Sequence, residues 1–199
     1  MRLALRAAAG FLAGLALWVA AFPAYGRLLA EAAEPVLRFL ERPHETRLYA
    51  EERRLVIDRA DFASRSDRPS LPVDDLTFNV ILFLTLSATR RRLFRDRGLL
   101  SLLAALGILG LTHVVAVVVA VKAFYATQLG EWSAAYYGPL SRNFWAGAGH
   151  FYRLAGCWAI AFVLWWALVR PEVSAEASTP GRRGPRRGPR RVSRPRGRD

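Results

Sequence analysis

Apolar residues fall in long uncharged runs separated by stretches where charge collects. The first run, Leu3 to Phe22, is rich in Ala, Leu and Gly and matches a bilayer core of about 30 Å. It ends on Trp18, Phe22, Pro23 and Tyr25, an interfacial aromatic edge with a residue that stops helices. Residues 27–41, RLLAEAAEPVLRFLE, place Leu28, Leu29, Ala32, Val36, Leu37 and Leu40 at helical spacing between charges. That spacing predicts a separate amphipathic helix at the surface, bent at Pro35. Residues 46–58, TRLYAEERRLVID, hold two strand-like pieces around Glu51-Glu52-Arg53 and predict a small β-hairpin. Residues 61–72 carry Ser, Asp and Pro and predict a loop that returns the chain to the bilayer.

A second, shorter run covers 76–89 and is followed by Arg90, Arg91, Arg92, Arg95 and Arg97; a third covers 99–124; a fourth covers 147–169 and closes on Trp165, Trp166 and Arg170. The expected fold is therefore an all-α membrane protein, a bundle of four transmembrane helices: 1–22, 76–89, 99–124 and 147–169. An outer segment 23–75 carries the amphipathic helix (27–41) and the hairpin (46–58). A basic loop at 90–98, an outer loop at 125–146 and a disordered arginine-rich tail at 170–199 complete the layout.

Composition changes this picture only through where the charge lies. The chain has 199 residues, 53% apolar and 23% charged, and a mean hydropathy of +0.14 that averages over two segregated classes. The net charge of +13 invites a nucleic-acid reading. Yet residues 23–75 hold 9 Arg against 11 acids, residues 90–98 hold 5 Arg against Asp96, and residues 170–199 hold 10 Arg against 3 acids. Arginine at the start, in the second connection and in the tail is the distribution of cytoplasmic loops. It predicts both termini in the cytoplasm and a multi-pass protein of a bacterial inner membrane. Segments 23–75 and 125–146 then face outward together. The tail, with GRRGPRRGPRR at 181–191, lacks aromatic stacking residues, so anionic lipid head groups are its expected contact and nucleic acid is not expected. Arg2 and Arg6 before an apolar run have the charge order of a signal peptide, but the run is of bilayer length and no A-x-A site precedes a soluble domain, so the segment is expected to stay.

Candidate chemistry is sparse. Cys157 is the one cysteine, which excludes an intrachain disulfide and a cysteine zinc cluster. Polar groups at membrane depth are costly, so Asn79, Thr112 and His113 are expected to bond between helices, and Lys122 to snorkel to the outer interface. His150 opens the fourth run in GAGHFYRLAG; with Arg153 or Arg142 it is the candidate for catalysis at the outer face. Cys157, seven residues on, falls on the same helical face about 10 Å below and is expected to pack as a small apolar residue. Asp74-Asp75 reads as a cap for the second span. No metal site, cofactor motif or nucleophile elbow is evident in the pattern.

The order of RLYAEERRLVID, the helix from Leu76, RRRLFRDRG, the helix containing LTHVV and GHFYRLAG resembles the exosortase/archaeosortase group over roughly residues 46–169. These are multi-pass membrane transpeptidases thought to process C-terminal sorting signals. The family has a helix beginning Cys-x-Gly, a helix with Asn-x-x-Arg and a His opening the last helix. Here no thiol stands near Phe78 and Asn79, the Asn-x-x-Arg equivalent reads Thr112-His113-Val114-Val115, and only His150 has a counterpart. Without the thiolate nucleophile and the positive group that steadies the acyl intermediate, the transpeptidase reaction has no footing. The resemblance thus implies a non-catalytic relative, similar to the membrane proteins associated with exosortase H, with an exosortase-type partner. Two other readings stand beside it: an enzyme using His150, and a generic envelope-assembly scaffold.

Overall fold

The computed structural model describes residues 2–41, 45–60, 68–90 and 96–177. In chain order the elements are α1 (Arg2–Leu40), β1 (Arg47–Glu51), β2 (Arg54–Asp58), β3 (Ser70–Pro72), α2 (Asp74–Thr77), α3 (Asn79–Ala88), α4 (Asp96–Thr127), α5 (Glu131–Tyr136), α6 (Pro139–Phe151) and α7 (Cys157–Ala177), with a π-helical turn at Tyr152–Gly156. The described chain is mostly helical with one small sheet.

The first apolar run and the expected surface helix are one helix, which runs through both Pro23 and Pro35. Each proline costs about 3 kcal/mol in a helix interior. The opposing term is burial: Phe22, Leu29, Ala30, Ala33 and Leu37 are all covered, and each large apolar side chain contributes about 1.5–3 kcal/mol. Packing along one stripe thus carries the helix past residues that local propensity reads as stops. Leu28, Val36 and Leu40 of the anticipated amphipathic face stay exposed.

The hairpin forms with a two-residue turn, Glu52–Arg53, in which Glu52 takes the left-handed conformation (φ 52°). The anticipated loop contributes a third strand, giving the antiparallel order β1-β2-β3. Val56 faces Tyr49 on one side and Ser70 on the other, and Leu55 faces Leu71. Period-2 alternation sends Leu48, Leu55, Ile57 and Leu71 into the core shared with α1 and α4. The opposite face carries Tyr49, Glu51, Arg54 and Ser70. The hairpin lies back along α1: Glu34 accepts from the Leu48 amide (3.0 Å), and the Arg38 guanidinium donates to the Thr46 carbonyl (3.0 Å). At the far end Arg53 lies over the rings of Phe22 (5.5 Å) and Trp18 (5.9 Å).

Asp74 and Asp75 occupy the first turn of α2, where they favour the helix dipole, while Val73 stands at the cap without a side-chain bond. α3 packs tightly on α1 at Gly10 and Gly14, a G-x-x-x-G pair: a methyl on Gly10 would run into that of Ala88, and one on Gly14 would stand 3.3 Å from Leu84 Cβ. A second apolar cluster, Phe83, Leu102, Ala105, Leu109 and Ala161, joins α3, α4 and α7.

Helical structure at the C-terminal side extends in both directions beyond the anticipated fourth span. α5 and α6 fill the expected outer loop, and α7 continues to Ala177, past the point where the tail was expected; residues 178–199 lie outside the described residues, as do 91–95 of the basic loop. Among the described residues two helices, over Leu3–Leu40 and Gly98–Thr127, are long and apolar enough to cross a membrane, their most apolar 18-residue stretches having mean hydropathies of 1.8 and 2.5. Their most apolar windows are only 11% and 39% buried, whereas the core helix of a soluble protein is mostly covered.

Candidate functional site

Two polar constellations organise the described residues, one between the apolar helices and one at their α5–α6 end. The first gathers Asn79 and His113. The Asn79 amide donates through Nδ2 to the Cys157 carbonyl of α7 (3.0 Å), which turns its Oδ1 toward His113 Nε2 (2.7 Å). His113 therefore donates at Nε2. In the neutral imidazole Nδ1 then accepts, and the Tyr25 hydroxyl of α1 supplies the proton at 2.6 Å. One line of hydrogen bonds, Tyr25 to His113 to Asn79 to the Cys157 carbonyl, ties α1, α4, α3 and α7 together. Tyr25 and His113 also border an apolar cleft of about 180 Å³ with Leu17, Trp18 and Leu109. Thr112 does not join: its hydroxyl bonds back to the Leu109 carbonyl of its own helix (2.7 Å). Beside the line, Trp18 donates to the Thr77 hydroxyl (3.3 Å) and the Tyr152 hydroxyl donates to the Leu76 carbonyl (3.0 Å).

His150 is exposed and lies near the end of α6, inside a continuous run of helix rather than at a helix start. It shares a cavity of about 150 Å³ with Arg153, Tyr152 and Gln128, and Arg142 does not line it. The π-helical turn adds a residue to the helical count between His150 and Cys157. The seven-residue spacing therefore no longer puts them on one face. Cys157 is fully buried where His150 is not.

The second constellation was not anticipated as a site, and it corrects the expectation for Lys122. Instead of snorkelling, Lys122 is 7% exposed and turns toward Glu41, its Nζ 3.9 Å from Oε1. Arg59, from the end of the hairpin, pairs with Oε2 of the same carboxylate at 3.2 Å. Thr46 donates to Oε2 as well, and its hydroxyl lies 3.0 Å from that of Tyr125. Aromatic rings wall the charges. The Arg59 guanidinium lies over Trp132 (5.3 Å) and Tyr125 (5.5 Å), and the Lys122 ammonium over Tyr137 (5.6 Å) and Trp145 (5.9 Å). Ring faces are negative, so each cation gains attraction that grows as water is excluded. Burial pushes the Tyr137 phenol up to about 12, so it stays neutral beside the charges.

A cleft of about 340 Å³ opens among Glu41, Arg59, Lys122, Trp132, Tyr136, Tyr137, Ser141 and Trp145. That volume is at the lower end of small-ligand pockets. α5 is positioned for this by the Ser133 hydroxyl, which donates to the Tyr125 carbonyl (2.6 Å) and accepts from the Leu129 amide (3.0 Å). The sequence signal for the cluster was slight: a lone Lys near the end of an apolar helix and a loop, 125–146, with two Trp and three Tyr. Its partners, Glu41 and Arg59, lie in segments that sequence spacing cannot bring together.

Comparison with known proteins finds no match: no family model, no curated protein and no solved structure aligns with this chain.

Proposed function

We propose that this chain is an accessory membrane protein of an exosortase-type protein-sorting system, binding the enzyme or its substrate without reacting itself. In this reading it crosses a bacterial inner membrane four times, on the apolar part of α1, α2–α3, α4 and the stretch 147–169 that ends in α7, with both termini in the cytoplasm. The Arg-rich segments would lie inside and the sheet with α5 and α6 outside.

The observation that carries the proposal is the sheet. One face is buried on α1 and α4, and the other presents an open groove lined by Tyr49, Glu51, Arg54, Arg68 and Ser70. The groove is braced rather than loose: Arg68 donates to the Tyr49 hydroxyl at 2.7 Å and Arg54 to the Ser70 hydroxyl at 2.7 Å. A rigid polar face held over apolar helices suits docking at the outer surface. The sole thiol, fully buried at Cys157 with its backbone carbonyl engaged by Asn79, is poorly placed as a nucleophile.

Crosslinking of intact membranes followed by purification of this chain tests the proposal. An exosortase-type enzyme should be recovered, and charge reversal at Arg54 and Arg68 should reduce the yield; recovery of the chain without such an enzyme removes the accessory reading. A second reading, an enzyme using His150, is favoured by the cavity that His150 shares with Arg153. The His150→Ala variant separates the two, because a docking protein keeps its function after that change and an enzyme loses it.

A further inference from the structure

The cleft around Lys122 has the ingredients of an anion site. Oε2 of the Glu41 carboxylate is engaged by Arg59 and Thr46, while Oε1, buried and without a hydrogen-bond partner among the described residues, faces Lys122. Lys122 stands 3.9 Å from Oε1, beyond hydrogen-bond reach, so its three N–H donors have no acceptor at bonding distance among the described residues. The side chain is nonetheless 9% exposed and borders the cleft. Among the described residues the cleft wall sets Glu41 against Arg59 and Lys122, a net positive charge that favours a monoanion. Ser141 adds a hydroxyl from the first turn of α6, the turn whose amides lack intrahelical acceptors.

The position along α4 indicates which monoanion. Leu76, the first buried apolar residue of α2, lines one cavity together with α4 residues from Ala116 to Thr127. Lys122 lies midway along that stretch, level with Leu76. In a bilayer whose core begins near Leu76, that is the inner edge of the head-group layer. Rings of Trp132, Tyr137 and Trp145 at this level form the kind of belt that sits among head groups. Leu140 (84% exposed) and Phe144 (63%) neighbour Ser141 and Trp145 in sequence and offer uncovered apolar surface for acyl chains.

We propose that this cleft binds the phosphodiester of a phospholipid head group, with the Lys122 ammonium as its direct donor. The proposal rests on membrane placement and is independent of the sorting system. The test uses the full chain, purified in a zwitterionic detergent free of phospholipid and titrated calorimetrically with dihexanoylphosphatidylglycerol and, separately, with inorganic phosphate and with acetate. Saturable binding of the lipid is expected, with weaker binding of either simple anion. Lys122→Met should weaken lipid binding at least tenfold, while Lys122→Arg should retain it within about threefold. Lys122→Met leaves Glu41 less compensated, so the double variant Lys122→Met with Glu41→Gln is measured alongside; it too should lose lipid binding while keeping the helical circular dichroism of the parent. Unchanged lipid binding in that folded double variant overturns the proposal. Inorganic phosphate binding as tightly as the lipid overturns the lipid source in favour of a free-phosphate site, and acetate outcompeting the lipid overturns the phosphate chemistry altogether.

Discussion

The two polar constellations meet the same difficulty, polar groups among apolar helices, in opposite ways. Between the helices, Tyr25, His113 and Asn79 form a neutral line in which each donor meets one acceptor. At the α5–α6 end, Glu41, Arg59 and Lys122 keep opposite charges behind aromatic walls, with one cation incompletely matched. Neutral pairing suits a region where stray charge is very costly, and charge suits a level where water or a ligand can complete the set. The neutral line reads as fastening; the charged cluster reads as a site.

That contrast predicts unequal costs. Glu41→Ala leaves two buried cations without their carboxylate and should lower stability by about 3–5 kcal/mol, the range for breaking a buried pair; reversible unfolding in mixed micelles measures it. A loss under about 1 kcal/mol would mean that water already compensates the cluster. Gly10→Ala, a packing change in the helix bundle, should cost about 1–3 kcal/mol by forcing α1 from Ala88, read in the same assay. Tyr25→Phe should cost least of the three, about 0.6 kcal/mol and at most about 1.7, the range seen for hydrogen bonds between membrane helices. If it exceeded Glu41→Ala, the assignment of fastening and site would be reversed.

Alkaline titration adds a test on the charged side. Tyr137 ionises near 12 when folded and near 10 when unfolded. Its folded value is raised, so its contribution is complete below pH 10 and drains as pH climbs toward 12. Near-ultraviolet circular dichroism should hold to pH 10 and then fall, and Tyr137→Phe should delay that fall.

Much of this fold was legible as hydrophobic runs. The hairpin strands follow directly from alternation in RLYAE and RLVID, and the apolar core of α4 from its uninterrupted run. What local pattern could not convey was tertiary override. Pro23 looks like a stop until Phe22, Leu29 and Leu37 are seen buried on a shared core. The third strand, Ser70–Pro72, is too short to announce itself and forms because β2 offers a free edge. The Gly10–Gly14 spacing was readable in the sequence as a close-packing motif but went unused in the predicted layout. Asn79 and His113 drew notice as polar residues in apolar runs; Tyr25, their third partner, passed as an interfacial aromatic. The Glu41–Arg59–Lys122 cluster was the least legible, because Glu41 and Arg59 have sequence neighbours ordinary for a surface and Lys122 reads as a lone charge at the end of an apolar run.

The order of donors and acceptors along the inner line has an electrical consequence. A hydroxyl and an imidazole can each take up one proton and release another, but a side-chain amide cannot do so readily, and Asn79 closes the line against a backbone carbonyl. The route is thus polar without being a conductor. Four helices are stitched together in this way by a line that cannot pass a proton from one end to the other.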